Sequence, residues 1–108
     1  MVLGVVPVAA PPAILTVTVG PDLGFKFRIK GHEITRIGRE TDNDVVLDDP
    51  ATSRHHAQIE FRDGRYILTD LGSANGTLVN NQRITAHALS DGDAMKFGQN
   101  VIVITISR

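Results

Sequence analysis

Three short polar clusters carry the side chains of this chain that are best suited to bind a ligand. Strand-like apolar runs separate them, and they comprise Gly38-Arg39, Ser53-Arg54-His55-His56 and Ser73-Ala74-Asn75-Gly76-Thr77. The guanidinium groups of Arg39 and Arg54, the hydroxyl of Ser53 and the amide of Asn75 are groups that bind an anion or a peptide backbone. No cluster pairs an obvious nucleophile with a base. The clusters therefore favour a binding module, and a phosphate group displayed on another protein is the simplest ligand.

The composition limits the kind of protein and the kind of partner. The chain has 108 residues, of which 42% are hydrophobic, which is enough for one domain with a core of ordinary size. Eleven Lys and Arg residues against twelve Asp and Glu residues leave a formal net charge of -1. We therefore expect neither nucleic acid nor a membrane as a partner, and any anion site must be local. The absence of cysteine fits a reducing compartment and equally fits an oxidising one; we expect a cytoplasmic location without a cofactor.

The opening segment is apolar but lacks the length and the flanks of a targeting sequence. Its apolar run is about half as long as a bilayer requires, and no basic residue precedes it. Pro7, Pro11 and Pro12 are typical of an extended segment. We therefore predict that residues 1–12 are a tail or linker and that residues 13–108 form the domain.

Alternating apolar residues predict strands along the rest of the chain. The clearest alternations are Leu15, Val17 and Val19, then Phe25, Phe27 and Ile29. Asp63-Gly64 predicts a tight hairpin turn, and the run from Val101 to Ile106 is apolar on both faces, which is typical of a central strand. About ten or eleven short strands, with no sustained helical periodicity, predict an all-β sandwich of two mainly antiparallel sheets.

The three clusters, in this order and at this spacing, resemble the signature of the forkhead-associated (FHA) domain family, which runs Gly-Arg, Ser-x-x-His and Asn-Gly. Further matches are Asp42–Leu47, Asp70–Ser73, Thr77–Asn80 and Leu89–Asp93. Together the matches extend from about Ile14 to Ile106, which is nearly the whole chain. The resemblance implies an eleven-stranded β-sandwich that binds phosphothreonine peptides through loops at one end.

The resemblance also implies a role for each matching residue in the binding of a phosphopeptide. Arg39 and Ser53 hold the phosphate and its neighbouring backbone, and Arg54 adds positive charge. Asn75 forms hydrogen bonds with the peptide backbone beside the phosphothreonine. Three residues are expected to support the site without contacting the ligand, namely Gly38, His56 and Gly76.

Two further positions are candidates for contacts with the peptide. Ala74 departs from the version of the family pattern in which a hydroxyl residue precedes the asparagine, and Ser73 is a candidate to replace part of that contact. Arg83 is a candidate to contact the peptide beyond the phosphothreonine. An exposed arginine near a turn needs no function, however, so this role stays open.

Simpler interpretations exist for each charged residue. In isolation, Arg39 is explained by a surface ion pair with Glu40 or Asp42, and Arg54 by one with the preceding Asp48-Asp49 pair. The ion-pair interpretation is disfavoured for Arg39 because the Ser53 and Asn75 clusters follow it at the spacing of the family signature. It remains open for Arg54.

We expect no metal site. His55 and His56 are adjacent, and neighbouring residues on a strand point to opposite faces, so a packed and hydrogen-bonded His56 is the favoured interpretation. The run Asp42-Asn43-Asp44 lacks the glycine that an EF-hand calcium loop needs.

Two other functions stay as alternatives to phosphothreonine binding. The first is a phosphate-independent interaction or oligomerisation domain that uses the same sandwich. The second is a small hydrolase built on Ser53, His56 and an aspartate. It is disfavoured because the sequence shows neither an orienting acid nor an oxyanion hole.

Overall fold

The alternating apolar residues form strands that turn one side toward a common core. The computed structural model describes residues 9–107. Within this range there are eleven strands and no helix: β1 Ala13–Val19, β2 Lys26–Arg28, β3 Thr35–Gly38, β4 Val45–Val46, β5 Ala57–Arg62, β6 Arg65–Asp70, β7 Thr77–Val79, β8 Gln82–Ile84, β9 Ala86–Ala88, β10 Ala94–Phe97 and β11 Asn100–Ile106. The predicted all-β fold is confirmed. No helix able to cross a membrane occurs in this part of the chain.

The strands form two sheets that pack face to face. The six-stranded sheet has the order β2-β1-β11-β10-β7-β8, and the five-stranded sheet has the order β4-β3-β5-β6-β9. Among the strand pairs of residues 9–107, only β3 with β4 is parallel. Both sheets contribute fully buried side chains to one core, among them Leu15, Phe97 and Ile102 from the first and Ile37, Ile59 and Leu68 from the second.

The Asp63-Gly64 hairpin is confirmed. Strand β5 pairs with β6 so that Arg62 lies opposite Arg65, and the two turn residues have φ angles of 53° and 78°. Positive φ at both central residues is the geometry that favours Asp-Gly in two-residue hairpins.

The prediction that Val19 shares the inward side of Leu15 and Val17 is wrong. Val19 is 56% exposed because the register of β1 against β11 shifts between Val17 and Val19. Such a bulge adds a residue to one strand and reverses the side to which the next side chains point. Phe25, expected on the same side as the buried Ile29, is also exposed, at 43%.

Strand β11 lies in the interior of the six-stranded sheet, between β1 and β10, as predicted. Its two faces nevertheless differ. Ile102 and Ile104 point into the core and are buried, whereas Val101 and Val103 point outward and are only half-buried. An apolar pattern on both sides of this strand therefore reflects burial on one side and a largely uncovered apolar strip on the other.

The last residues of the predicted tail contact the sandwich. The Tyr66 hydroxyl donates a hydrogen bond to the Pro11 carbonyl, and the Ser107 amide donates to the Pro12 carbonyl at 2.8 Å. Ala10 packs against the core. Residues 1–8 lie outside the described residues, so the predicted boundary at residue 12 stays a prediction.

We expect a chain that begins at Ala13 to be less stable than one that begins at Ala9. The shorter chain loses the carbonyl acceptors of Tyr66 and Ser107, at a cost of about 1 kcal/mol of unfolding free energy for each hydrogen bond. Urea denaturation of the two chains measures the difference. Tyr66→Phe in the longer chain is the control, because it removes one of the two bonds and keeps the ring, so it should show part of the loss. Equal midpoints for all three proteins would contradict the expectation.

Candidate functional site

The three polar clusters meet at one end of the sandwich. They lie in the loops that follow β3, precede β5 and precede β7. Hydrogen bonds join these loops directly, because the Arg39 amide donates to the Ser53 carbonyl at 3.1 Å and the Ala74 amide donates to Ser53 Oγ at 2.9 Å. The arrangement places guanidinium, hydroxyl and amide groups around one surface.

Arg39 is exposed and is oriented by the neighbouring loop. Its Nε donates to the Thr52 carbonyl at 3.2 Å. Within residues 9–107 its guanidinium forms no ion pair, since Glu40 lies beside Arg54 and Asp42 contacts His55 instead. The simple explanation of Arg39 as a surface ion pair is therefore wrong.

Gly38 permits the close approach of two loops. A Cβ atom at this position would lie 2.2 Å from the Arg54 carbonyl oxygen and 2.8 Å from Asn43 Nδ2. That carbonyl also accepts hydrogen bonds from the Glu40 amide and from Asn43 Nδ2, at 3.2 and 2.8 Å. Asn43, which is buried and which sequence reasoning missed as a support residue, thus ties the Arg39 loop to the Ser53 loop.

Ser53 Oγ acts as an acceptor in the hydrogen bonds of the described residues, so its hydroxyl proton is not used in them. Its Oγ accepts the Ala74 amide, so the oxygen is fixed as an acceptor on one side. The side chain is half-buried. The contact uses the backbone of residue 74, so the alanine there does not prevent the loop from docking onto Ser53.

Arg54 is also exposed, and 73% of its side chain is accessible to solvent. Its Nε lies 3.6 Å from Glu40 Oε1, which is a weak surface pair. The ion-pair partner of Arg54 is therefore Glu40 and not Asp48 or Asp49. A competing anion displaces such a pair at little cost.

His56 is fully buried and joins two loops. Its Nδ1 accepts the Ser53 amide at 3.0 Å, so Nε2 carries the proton and donates to the Gly76 carbonyl at 2.9 Å. The edge of its ring contacts Phe97. The prediction of a packed, hydrogen-bonded His56 is confirmed. Because its acceptor nitrogen is already occupied by a backbone amide, His56 does not serve as a base for the Ser53 hydroxyl.

Asn75 presents an amide beside the Ser53 loop. Its Nδ2 donates to the Ala51 carbonyl at 2.8 Å, and the side chain is otherwise exposed. Gly76 follows with a φ of 82°, and a Cβ atom there would lie 2.9 Å from Arg83 Nε. Arg83 therefore covers the backbone next to Asn75, at the side of the site.

A shallow cleft of about 160 Å³ begins at Asn75. Its other lining residues are Gly76, Leu78, Lys96 and Gly98. Lys96 was not predicted as a site residue. Only the pairing of β10 with β7 brings it to the cleft, because the two strands are distant in sequence.

The carboxylate of Asp70 holds the loop that carries Asn75. It accepts hydrogen bonds from the Gly72 and Ser73 amides and from the hydroxyls of Ser73 and Thr77. Burial acts to raise the pKa of Asp70, but these four donors outweigh it, and the net pKa lies below the usual range. The Ser73 hydroxyl donates to Asp70, so in this arrangement its proton is directed within the loop.

Asp49 does the same for the loop that carries Ser53. It is fully buried and accepts hydrogen bonds from the Ala51 amide, the Thr52 hydroxyl and both the amide and the side chain of Gln99. Burial again acts to raise its pKa and the hydrogen bonds lower it below the usual range. The sequence offered one signal for both aspartates, a carboxylate directly before a turn rich in Gly or Pro.

Within residues 9–107, no group of three or more His, Asp or Glu side chains has an arrangement that could hold a metal ion.

A comparison with protein-family models matches residues 35–98 to the FHA domain. The chain belongs to the FHA domain family. The resemblance predicted from the three clusters is confirmed, whereas the ligand contacts of the individual residues stay predictions.

Similar proteins include a regulator and two proteins of known structure. The glycogen accumulation regulator GarA of Mycobacterium tuberculosis is 37% identical over 91 residues, covering 82% of this chain and 56% of GarA. The FHA domain of an Arabidopsis thaliana hypothetical protein has a TM-score of 0.86 at 32% identity, covering 92% of this chain and 88% of that one. Mycobacterium tuberculosis EmbR in complex with a low affinity phosphopeptide has a TM-score of 0.81 at 37% identity, covering 90% of this chain and 25% of EmbR. This chain spans little more than half the length of GarA.

We expect His56→Ala to destabilise this FHA domain and His55→Ala to leave its stability nearly unchanged. The first substitution leaves the buried Ser53 amide and Gly76 carbonyl without partners, at a cost of about 3 kcal/mol of unfolding free energy. The second removes an exposed side chain whose contact is with Asp42, at a cost below about 0.5 kcal/mol. Chemical denaturation of both variants checks this. Equal losses would show that the two loops do not depend on the buried imidazole.

We expect the contribution of Asp49 and Asp70 to the melting temperature to be complete above about pH 5 and to be lost as the pH falls below about pH 4. Asp49 and Asp70 have lowered pKa values in the folded protein, so the unfolded chain binds their protons first as the pH falls. Their stabilisation is complete above the unfolded pKa and is lost as the pH falls through the folded one.

Calorimetric melting of Asp70→Asn across the same pH range separates this contribution. The variant should melt lower at neutral pH and should show a shallower fall in acid. Asp63→Asn, in the exposed hairpin turn, is the matched control and should follow the wild-type curve. An Asp70→Asn curve parallel to wild type in acid would rule out a role of this carboxylate in the pH dependence.

Proposed function

We propose that this FHA domain is a non-catalytic module that binds phosphothreonine-containing segments of other proteins in kinase-dependent signalling or assembly. One observation carries the proposal. Ser53 uses its hydroxyl oxygen as an acceptor and keeps its proton to donate, and it lies next to Arg39, whose guanidinium has no carboxylate partner within residues 9–107. A dianionic phosphate needs this combination of a hydroxyl donor and a guanidinium cation.

The remaining residues fit the same ligand. Arg54 adds a second guanidinium, held only by the weak contact with Glu40. Asn75 has its Nδ2 anchored on a backbone carbonyl, which directs the amide plane and leaves its oxygen to accept a peptide N–H. Ser73 supports the loop through its hydrogen bond to Asp70. Arg83 lies against Gly76, and we assign it to the peptide segment beyond the phosphothreonine.

The relatives support this proposal without defining the partner. The EmbR structure is a complex with a low affinity phosphopeptide, and a quarter of the EmbR chain superimposes on 90% of this chain. GarA is a regulator, but the match covers only 56% of its length, so the activity of the whole regulator is not carried over. The proposed partner is a phosphothreonine-containing protein, or a segment of the parent protein, in the cytoplasm, where kinases have access to ATP.

Calorimetric titration with four matched peptides tests the proposal. The peptides carry phosphothreonine, phosphoserine, threonine or glutamate at one position. We expect the phosphothreonine peptide to bind more tightly than the phosphoserine peptide, because burial of the threonine methyl contributes about 0.8 kcal/mol. We expect no measurable binding of the threonine and glutamate peptides, because threonine carries no charge and glutamate carries less charge than a phosphate. Affinity should fall below about pH 6, where the phosphate gains its second proton.

Arg39→Ala and Ser53→Ala should each abolish binding of the phosphothreonine peptide and leave the melting temperature within a few degrees of wild type, because both side chains lie in loops. Arg62→Ala, an exposed arginine at the opposite end of β5, is the matched control and should bind normally. Equal affinity for all four peptides would replace the proposal with a phosphate-independent interaction domain. Normal binding by either site variant would move the site elsewhere.

A further inference from the structure

The outward face of the six-stranded sheet has an unusual distribution of charge. The strand register defines which side chains share this face, because residues directly opposite one another point the same way. One row across the sheet runs through Arg83, Leu78, Lys96, Val101 and Val19. A second runs through Ala94, Val103, Thr16 and Lys26, and a third through Thr105, Ile14 and Arg28.

The charged side chains of these rows are all positive. They are the exposed Lys26, Arg28, Arg83 and Lys96, and none of the six strands of this sheet contains an aspartate or a glutamate. Within residues 9–107 none of the four forms an ion pair. In a chain with a net charge of -1, the acidic residues must therefore be concentrated elsewhere. The surface is basic at both edges and carries half-buried apolar side chains between them.

The nearest carboxylates along the chain have other partners. Asp22, in the turn between β1 and β2, accepts hydrogen bonds from Asn100 Nδ2 and from the Asp48 amide. At the other end of the sheet, Asp93 accepts the Ser90 amide and Asn80 Nδ2. Within residues 9–107 neither forms an ion pair with any of the four cations, so the strands of this face present only positive charges to solvent.

Protection of the sheet edges does not explain the whole pattern. Charged residues on edge strands hinder pairing with other chains, which accounts for Lys26 and Arg28 on β2 and for Arg83 on β8. Lys96, however, lies on β10, in the interior of the sheet. It also lines the cleft that begins at Asn75. The basic face is therefore continuous with the proposed phosphopeptide site.

We propose that this face binds an acidic segment of the phosphorylated partner, adjacent in sequence to the phosphothreonine. The inference rests on the proposed function and adds to it a preference for Asp and Glu in the flanking sequence. From β7 to the edge strand β2 there are four strand steps of about 4.8 Å, a distance that an extended segment of about six residues spans. The half-buried Val101 and Val103 offer contacts for apolar residues within the same segment.

The test uses three phosphothreonine peptides. One has neutral flanks, and the two longer ones carry an acidic extension of about eight residues, either before or after the phosphothreonine. We expect one extension to tighten binding about tenfold at low salt, since several exposed charge pairs each contribute a few-fold. The gain should shrink at about 0.5 M salt, where screening is strong. A lysine-rich extension of equal length should give no gain.

Lys26→Gln combined with Arg28→Gln identifies the surface. Neither residue lies at the phosphopeptide site, so affinity for the neutral peptide should be unchanged while most of the gain from the extension is lost. Arg62→Gln combined with Arg65→Gln, on the other sheet, is the matched control and should keep the gain. Circular dichroism of both double variants verifies the fold.

Each other result overturns a specific part of the inference. If neither extension tightens binding, or if the gain survives in the Lys26 and Arg28 double variant, the face does not bind the flanking segment. If the double variant loses binding to phosphatidylserine vesicles while the extension has no effect, the face binds membranes instead. If the neutral phosphopeptide fails to bind but an unphosphorylated acidic peptide binds through Lys26 and Arg28, the basic surface binds acidic segments and the proposed phosphothreonine-binding function is wrong. If none of the peptides binds, both fall.

Discussion

The binding end of this domain depends on one buried imidazole. His56 accepts a hydrogen bond from the amide of Ser53 and donates one to the carbonyl of Gly76, so a single side chain holds two loops that are distant in sequence. The bond to Gly76 is buried and the bond from Ser53 is partly buried, and in such surroundings hydrogen bonds are strong and unpaired polar groups are costly. The described residues contain no buried side-chain polar atom without a partner. The loops are therefore ordered before a ligand arrives, and binding does not have to supply that ordering free energy.

Two carboxylates complete the support, although the site itself is suited to an anion. Asp49 and Asp70 each accept several hydrogen bonds from the loops they organise, and these donors lower the pKa of both groups despite burial. A negative charge near a phosphate is unfavourable by itself. The exposed guanidinium groups of Arg39 and Arg54 at the rim offset it. The domain thus separates the supporting anions inside the loops from the exposed cations at the rim, to which we assign the ligand.

The net charge of the chain conceals how its charges are distributed. A value of -1 correctly indicates that no overall field attracts a polyanion. The strand register, however, places Lys26, Arg28, Lys96 and Arg83 on one face. None of the strands of this sheet contains a carboxylate. A bulge in β1 adds the exposed Val19 to this surface. Local charge and apolar exposure on this face therefore result from strand pairing, which composition does not describe.

The sequence alone determined the fold class, the family and the loops that form the site. Strand alternation, the Asp63-Gly64 turn and the order of the Gly-Arg, Ser-x-x-His and Asn-Gly clusters are local features, and local features are legible in sequence. The role of His56 as a packed residue was also predicted, from the divergence of adjacent side chains on a strand, although both histidines lie in the loop that precedes β5. These inferences needed no knowledge of which strand pairs with which.

The tertiary structure alone decided which groups contact one another across those loops. Asp48 and Asp49 are adjacent in sequence, yet Asp49 is buried with several donors and Asp48 is exposed, since only the fold brings Gln99 to Asp49. Lys96 reaches the Asn75 cleft only through the pairing of β10 with β7. The sequence of β11 predicted burial on both faces because both are apolar. An apolar sequence does not show whether another element covers the outward face. Each of these outcomes depends on contacts between residues far apart in the chain, and periodicity carries no information about such contacts.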